Sequence, residues 1–161
     1  MSEAFVGIGA NLGRPAAQVR AAIGALSRQS GVFEVRASSL YRSVAIGIVN
    51  QPDYCNAVCR LRTALEPEQL FECLVNIERD AGRVRDGTRW GPRILDLDLL
   101  HVVGVQQQTA VLTLPHPEIA RRNFVVQPLY EVAPGLEIAG VGVIRDLVSK
   151  LGANGLSLWS E

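Results

Sequence analysis

The sequence has no excess of charge of either sign and no long apolar run. Lys and Arg together number 16 and balance 16 Asp and Glu, so the formal net charge is zero at pH 7. General nucleic-acid binders and membrane-surface proteins depend on a basic excess, and a membrane helix needs about 20 apolar residues in succession. The start, Met-Ser-Glu-Ala, lacks a basic region followed by an apolar run. We therefore expect a cytoplasmic protein that binds neither nucleic acid nor membrane.

Cysteine is also scarce. The chain has three, Cys55, Cys59 and Cys73, and they lie in apolar surroundings without the Cys-x-x-Cys spacing. An odd number at these positions argues against a disulfide framework and against a zinc site. We expect three buried thiols.

Lysine is the scarcest cation, since Lys150 is the only one in the chain. Arginine, in contrast, crowds a short run at Arg83, Arg85, Arg89 and Arg93, which Gly87, Gly91 and Pro92 interrupt. The planar guanidinium fork matches phosphate oxygens, although a solvated basic loop is the plainer interpretation. What favours phosphate binding is that this loop leads directly into a pair of aspartates.

The aspartate pair lies within an apolar strand pattern at 94–100. A period of two places Asp96 and Asp98 on one face and the leucines between them on the other. Two like charges about 5 Å apart repel by roughly 3 kcal/mol at an effective dielectric constant near 20, so the pair calls for a cation. Carboxylates suit Mg²⁺, which completes its shell with water and substrate phosphates. The alternative is the polar face of an edge strand.

Periodicity sets the order of elements along the chain. It predicts strands at 4–8, 32–42, Tyr54–Thr63 and 94–100, helices that begin at Pro15 and Pro67, a hairpin within 102–114, and two further helices near 126–131 and 144–151. The order strand, helix, strand, strand, helix, strand is that of a ferredoxin-like α+β sandwich, an antiparallel sheet with helices on one face. We expect one domain over 1–161, with a C-terminal extension.

Three further residues are candidates for ligand binding. Tyr54 and Asn56 share one face of their strand, and a ring beside an amide is suited to a flat heterocycle. The alternative for Asn56 is a capping or turn residue. His116, between two prolines, could donate to a phosphate, although a surface histidine is the simpler interpretation.

The glycines near the N-terminus suggest a nucleotide loop less strongly. Gly7, Gly9 and Gly13 have the wrong spacing for a dinucleotide fingerprint, and no P-loop lysine follows. We expect a tight turn from strand to helix.

Taken together, these motifs resemble those of one family, the 6-hydroxymethyl-7,8-dihydropterin pyrophosphokinases of folate synthesis. The resemblance runs from Gly7 to about Pro134. It is carried by Gly9-Ala10-Asn11-Leu12-Gly13, Gln51-Pro52-Asp53-Tyr54-Cys55-Asn56-Ala57, Gly82-Arg83, Arg89-Trp90-Gly91-Pro92-Arg93, Asp96-Leu97-Asp98, Pro115-His116-Pro117, Arg122-Asn123-Phe124 and Pro128-Leu129.

The resemblance implies that the β,γ-pyrophosphoryl group of ATP passes to the hydroxymethyl oxygen of the pterin and that AMP is released. It implies two Mg²⁺ ions bound by Asp96 and Asp98, with Asp98 also the candidate proton acceptor. It assigns catalysis and phosphate binding to Arg83 and Arg93, triphosphate contacts to His116 and Arg122, and pterin binding to Tyr54, Asn56, Phe124, Trp90, Ser43 and Ile46. The expected partners are ATP and the pterin, and the expected state is a monomer.

The chain departs from the family in the segment after Ser43. The family commonly has a proline near Val44 or Ala45, and this chain has none there. Because proline stiffens a loop, we expect this difference to affect the rate at which the lid closes or the product is released.

Two other classes share part of the pattern. A ferredoxin-like RNA-binding module needs several aromatics on one sheet face and a basic surface, and only Tyr54 has that character here. Another two-metal nucleotide-dependent transferase would share the aspartates, but not the pocket of Tyr54, Asn56 and Phe124.

Overall fold

The computed structural model describes residues 1–44, 51–83 and 94–161, with the side chain of Arg83 left out. The strands are β1 (Ser2–Ala10), β2 (Val32–Ala37), β3 (Tyr41–Ser43), β4 (Tyr54–Thr63), β5 (Asp96–Val102), β6 (Gln107–Gln108), β7 (Thr113–Leu114), β8 (Glu137–Ile138), β9 (Gly142–Val143) and β10 (Leu156–Leu158). The helices are α1 (Pro15–Ser27), α2 (Pro67–Arg83), α3 (Asn123–Val132) and α4 (Ile144–Leu151), and a 3-10 turn covers Ile119–Arg121.

The main sheet is antiparallel, with the strand order β10-β3-β4-β1-β5, and β2 pairs with β4 beside β3. Strand β1 is an interior strand of this sheet and lies between β4 and β5. This is the order that a ferredoxin-like βαββαβ chain gives when β2 and β3 are counted as one interrupted strand. The predicted α+β fold is confirmed.

The sheet is covered on both faces, one more than the sequence predicted. Apolar residues of α1 and α2 pack with Val6, Ile8 and Leu97 on one face. On the other face, α3 and α4 pack against Phe5 and Val58. Strand alternation places Val58 on the same face of β4 as Tyr54 and Asn56, yet Val58 is fully buried because α3 lies over it. The part of this second face that α3 and α4 leave open is accessible to a ligand.

The boundaries differ from the predictions where contacts from distant parts of the chain decide them. The strand predicted at 32–42 is broken after Ala37. There the backbone N–H of Ser38 donates to the carbonyl of Val58 at 2.8 Å, and the hydroxyl oxygen of Ser38 accepts the N–H of Val58 at 2.9 Å, so a side chain replaces part of the strand pairing. Glycine commonly ends a helix, yet α2 continues through Gly82 and ends at Arg83. Strand β5 begins at Asp96 rather than Ile94, because Asp96 faces Gly9, one residue from the end of β1.

The cysteines are free thiols, and two of the three are buried as predicted. Burial raises the pKa of Cys55 to about 11 and that of Cys59 to about 12. Cys73 is only partly buried. None of the helices in the described ranges has the length and apolar character required to cross a bilayer.

His101 makes the stability of this core depend on pH. Its ring stacks on Phe5 with the centroids 6.0 Å apart, its Nδ1 is buried without a hydrogen-bond partner, and burial lowers its pKa, against the opposing charge of Glu3. The unfolded chain therefore takes up this proton more readily than the folded chain. The stability of the fold that depends on a neutral His101 is fully present above the ordinary pKa near 6.5. It is lost as the pH falls from there through the lowered pKa of the folded state.

We expect His101→Phe to reduce this acid loss, since phenylalanine keeps a ring against Phe5 and cannot titrate. The measurement is urea unfolding of wild type and variant at about pH 7.5 and about pH 5.5. His116 titrates in both proteins and cancels in the comparison. An equal loss of unfolding free energy in the two proteins would contradict the role assigned to His101.

Candidate active site

The floor of the candidate site is a part of β1 where glycines leave the pocket face without side chains. In register across the sheet, Gly9 lies between Asn56 of β4 and Asp96 of β5. A Cβ atom on Gly9 would lie 3.0 Å from the amide nitrogen of Asn56. Two residues earlier in β1, Gly7 pairs with Asp98. Glycine in a strand interior marks close approach by another group, and here it leaves the carboxylates facing the amide across a bare surface.

The aspartates lie on one face of β5, as predicted, and both are partly buried. The backbone N–H of Leu97, which lies between them, donates to the Glu78 carboxylate of α2 at 2.7 Å. Glu78 therefore fixes the backbone between the two aspartates. Two carboxylates suit Mg²⁺, which usually takes one or two from a protein and the rest of its shell from phosphates and water. Within the described ranges, no group of three or more His, Cys, Asp or Glu side chains could hold a metal alone.

His116 approaches the same end of the site. Its backbone N–H donates to the carbonyl of Leu100, at the irregularity in the pairing of β5 with β1, at 2.8 Å. Its Nδ1 accepts the N–H of Glu118 at 3.1 Å, which leaves Nε2 as the protonated nitrogen, 4.0 Å from Asp98 Oδ1. Burial lowers the pKa of His116, while the charge of Asp98 opposes this effect and that of Arg122 adds to it. The neutral ring therefore presents one N–H donor beside the aspartates.

Asn56 is held in place by a buried serine. The hydroxyl of Ser43 donates to Asn56 Oδ1 at 2.6 Å. This bond fixes the orientation of the amide, and it leaves the NH₂ group as the donor over the glycine floor. Tyr54 pairs with Ser43 in the register of β4 and β3, so the amide and the tyrosine lie at the same edge.

Opposite this edge, the start of α3 contributes an aromatic and a cation. The Arg122 guanidinium lies 5.7 Å from the centroid of the Phe124 ring, close enough for a cation–π contact. Both residues border a cavity of about 660 Å³, a volume in the usual range for small-molecule sites. We call this cavity the central pocket. It is lined by Gly7, Ile8, Gly9, Ser43, Val44, Tyr54, Asn56, Ala57, Asp96, Asp98, Leu100, Arg122, Asn123, Phe124, Val125, Asn154 and Gly155.

The central pocket brings together seven of the residues that the sequence selected: Ser43, Tyr54, Asn56, Asp96, Asp98, Arg122 and Phe124. His116 lies beside it, next to Asp98. Arg83 ends α2, and its side chain is outside the description. Ile46, Trp90 and Arg93, which were also selected, lie outside the described residues.

Sequence reasoning gave Gly7 no role in the site and placed Gly9 in a turn, whereas Gly9 lies within β1. It also missed Asn123 and the C-terminal wall of Asn154 and Gly155. The floor had a usable signal, since two glycines two residues apart inside a strand indicate close approach by another group. The C-terminal wall had none, because its position depends on the tail returning to the sheet.

Comparison with known proteins identifies related sequences over most of the chain. The sequence model of the family 7,8-dihydro-6-hydroxymethylpterin-pyrophosphokinase matches residues 5–134. The 2-amino-4-hydroxy-6-hydroxymethyldihydropteridine pyrophosphokinase of Haemophilus influenzae is 41% identical over 93% of both chains. That of Bacillus subtilis is 34% identical over 98% of this chain and 90% of its own.

Similarity extends to longer proteins and to solved structures. The mitochondrial folate synthesis bifunctional protein of Pisum sativum is 34% identical over 91% of this chain, which corresponds to 27% of the longer protein. A crystal structure of Plasmodium falciparum HPPK-DHPS has a TM-score of 0.69 at 14% identity, over 93% of this chain and 43% of that one. At that identity the likeness supports the fold alone.

Proposed function

The chain belongs to the 7,8-dihydro-6-hydroxymethylpterin-pyrophosphokinase family, and we propose that the central pocket is where its reaction takes place. That reaction transfers pyrophosphate from ATP to the hydroxymethyl group of the dihydropterin, a step of folate biosynthesis. The observation that carries the proposal is the alignment of Asn56, Gly9 and Asp96 across three strands. An amide for a heterocycle and a carboxylate for a metal–phosphate complex face each other over bare backbone.

At the β5 end of the pocket, Asp96 and Asp98 would hold Mg²⁺. Mg²⁺ bound there would offset the charge of the triphosphate and favour loss of the hydroxyl proton. The resemblance implies two ions, and the two partly buried carboxylates on one face fit that donor set. We propose that Asp98, which lies beside the neutral His116, accepts the proton of the attacking hydroxyl.

The triphosphate would lie along the same end of the pocket. His116 offers the N–H of its Nε2, and Arg122 offers guanidinium donors next to Phe124. Charge-assisted bonds from a guanidinium orient phosphate oxygens by geometry as well as by charge. Arg83 and Arg93 are proposed as the further phosphate ligands, because their position before the aspartates matches the family.

The pterin would occupy the other end, over Gly9. We propose that Tyr54 and Phe124 stack on its two faces and that Asn56, fixed by Ser43, reads its edge. Trp90 and Ile46 are proposed to complete this part of the site by the same resemblance. The reacting hydroxymethyl group then points along the floor toward Asp96 and Asp98.

We expect Phe124→Ala to weaken binding of the dihydropterin by about tenfold or more and to leave the affinity for an ATP analogue alone nearly unchanged. An aromatic contact contributes on the order of 0.5–1.5 kcal/mol beyond burial, and 1.4 kcal/mol is about tenfold in a dissociation constant. Two calorimetric titrations on each protein make the measurement, one with the nucleotide analogue and Mg²⁺ and one adding the pterin. AMP formation from ATP with and without pterin tests the reaction itself.

Phe33→Ala is the matched control, because Phe33 is also a phenylalanine but is 44% exposed on β2. Equal loss of both ligands in Phe124→Ala would indicate a folding defect. Unchanged pterin affinity would place the heterocycle elsewhere.

We further propose that residues 1–161 act as one catalytic unit and as a monomer. We propose the cytoplasm as its location, since that compartment supplies ATP.

A further inference from the structure

The C-terminal tail forms part of the wall of the central pocket. Residues 152–157, which we call the C-terminal segment, follow α4 and return to the sheet, where β10 pairs with β3. Asn154 and Gly155 of this segment line the central pocket beside Ser43 and Phe124. The segment lies after residue 134, where the match to the family ends.

A side-chain amide ties this segment to the start of α3. Nδ2 of Asn123 donates to the carbonyl of Asn154 at 3.0 Å and to that of Gly152 at 3.3 Å. Asn123 stands between Arg122 and Phe124, the cation and the ring on that side of the pocket. One amide group therefore joins the C-terminal segment to the element that presents Phe124.

Backbone bonds tie the same segment to the opposite wall. The N–H of Val44 donates to the carbonyl of Gly155 at 3.1 Å, and Leu156 pairs with Ser43. Ser43 in turn orients Asn56. Gly155 adopts a φ of +74°, a left-handed conformation that residues with a side chain rarely adopt, so the path of the backbone here favours glycine.

Beyond the segment, the tail is anchored away from the pocket. Trp159 donates its backbone N–H to Leu40 at 2.9 Å, and the Arg42 guanidinium lies over its indole ring at 4.0 Å. Trp159 also packs against the core below the sheet. The segment is therefore held at both ends, and it connects the wall formed by the start of α3 to the wall formed by β3.

We propose that the C-terminal segment sets the spacing of the heterocycle subsite, with Asn123 as the positioning residue that links the segment to Phe124. This inference rests on the proposed function of the same pocket. The segment acts on the pterin through Ser43, Asn56 and Phe124, whereas Asp96, Asp98 and His116 lie at the other end. Weakening the bridge should therefore raise KM for the pterin and change kcat and nucleotide affinity little.

The first test is Asn123→Ala, compared with Gln29→Ala. Gln29, just after the end of α1, also donates a side-chain amide to a backbone carbonyl, that of Ala25, and it is absent from the lining of the central pocket. We expect Asn123→Ala to raise KM and the dissociation constant for the pterin about three- to tenfold, the range for the loss of one or two neutral hydrogen bonds. The affinity for an ATP analogue without pterin should change less than about twofold, and Gln29→Ala should change neither constant.

A second pair of variants tests the pairing with β3. Gly155 and Trp159 bond to Val44 and Leu40, the residues on either side of β3. Because hydrogen bonds alternate along antiparallel strands, the N–H of Ser157 also faces β3, while that of Leu158 faces away. Ser157→Pro therefore removes a pairing donor, and Leu158→Pro does not. We expect only Ser157→Pro to raise KM for the pterin, by at least about threefold, with nucleotide affinity retained.

The outcomes separate this inference from the proposed function. If wild type forms AMP in a pterin-dependent way but Asn123→Ala and Ser157→Pro match their controls, the inference is wrong and the proposed function stands. Parallel loss of nucleotide and pterin affinity would also overturn it, because the segment would then only support the fold. If wild type neither binds pterin nor forms AMP with it, the proposed function fails first.

Discussion

Replacing Asp98 with asparagine is expected to lower the rate of AMP formation by about a thousandfold or more, and Asp96→Asn should act similarly. Metal ions contribute several kcal/mol to charge stabilisation in a transition state, and each 1.36 kcal/mol corresponds to a factor of ten in rate. Asparagine keeps the size of the side chain and removes its charge. A loss of this size would therefore report on metal and proton handling rather than on packing.

The fold should survive both changes, because these side chains line a pocket and are only partly buried. Removing one of two like charges on a face also relieves repulsion, so the melting temperature should stay the same or rise. Asp146→Asn, an exposed aspartate in the first turn of α4, is the matched control and should retain full activity. Activity near that of wild type at saturating Mg²⁺ in Asp98→Asn would rule out its assignment as a metal ligand.

The second large effect is expected at the pocket floor, where Gly9→Val should weaken pterin binding by about tenfold to a hundredfold. A Cβ atom there already meets the Asn56 amide nitrogen at 3.0 Å, and valine adds two methyl groups on the same side. Overpacking costs roughly 1–3 kcal/mol, and each 1.4 kcal/mol is a factor of ten in affinity. The amide must move, and its bond from Ser43 must break or bend with it.

Gly135→Val is the control for this prediction, since a Cβ atom on Gly135 meets nothing within 4 Å. Binding is measured by titration with the pterin in the presence of the nucleotide analogue, and folding by thermal melting. If Gly9→Val bound the pterin as wild type does, the heterocycle could not lie over β1.

The residues that the sequence located best are those governed by local periodicity. The alternation in β5 was enough to put Asp96 and Asp98 on one face, and the alternation in β4 separated Asn56 from the cysteines. Tyr54 and Thr63 were also correct as the bounds of β4. These inferences need only the period of a strand, which holds wherever the strand is placed.

The residues that the sequence missed depend on partners distant in the chain. By alternation Val58 shares a strand face with Tyr54 and Asn56, and it is buried because α3 packs over it. Glu78 reaches Leu97 across 19 positions, and Asn123 reaches Asn154 across 31. Hydrophobic periodicity carries no information on such pairs, so the C-terminal wall could be found only in three dimensions.

The return of the tail also decides which strand edge the sheet presents to other molecules. Without β10, the side of β3 that faces away from β4 would expose the backbone groups of Leu40 and Val44 that now bond to Trp159 and Gly155. An open edge of this kind is a template for pairing with other chains. As the protein stands, the edge is β10, only three residues long, and short edge strands resist such pairing. A version of the chain cut after α4 should therefore aggregate more readily in concentrated solution, even where its pocket residues are intact.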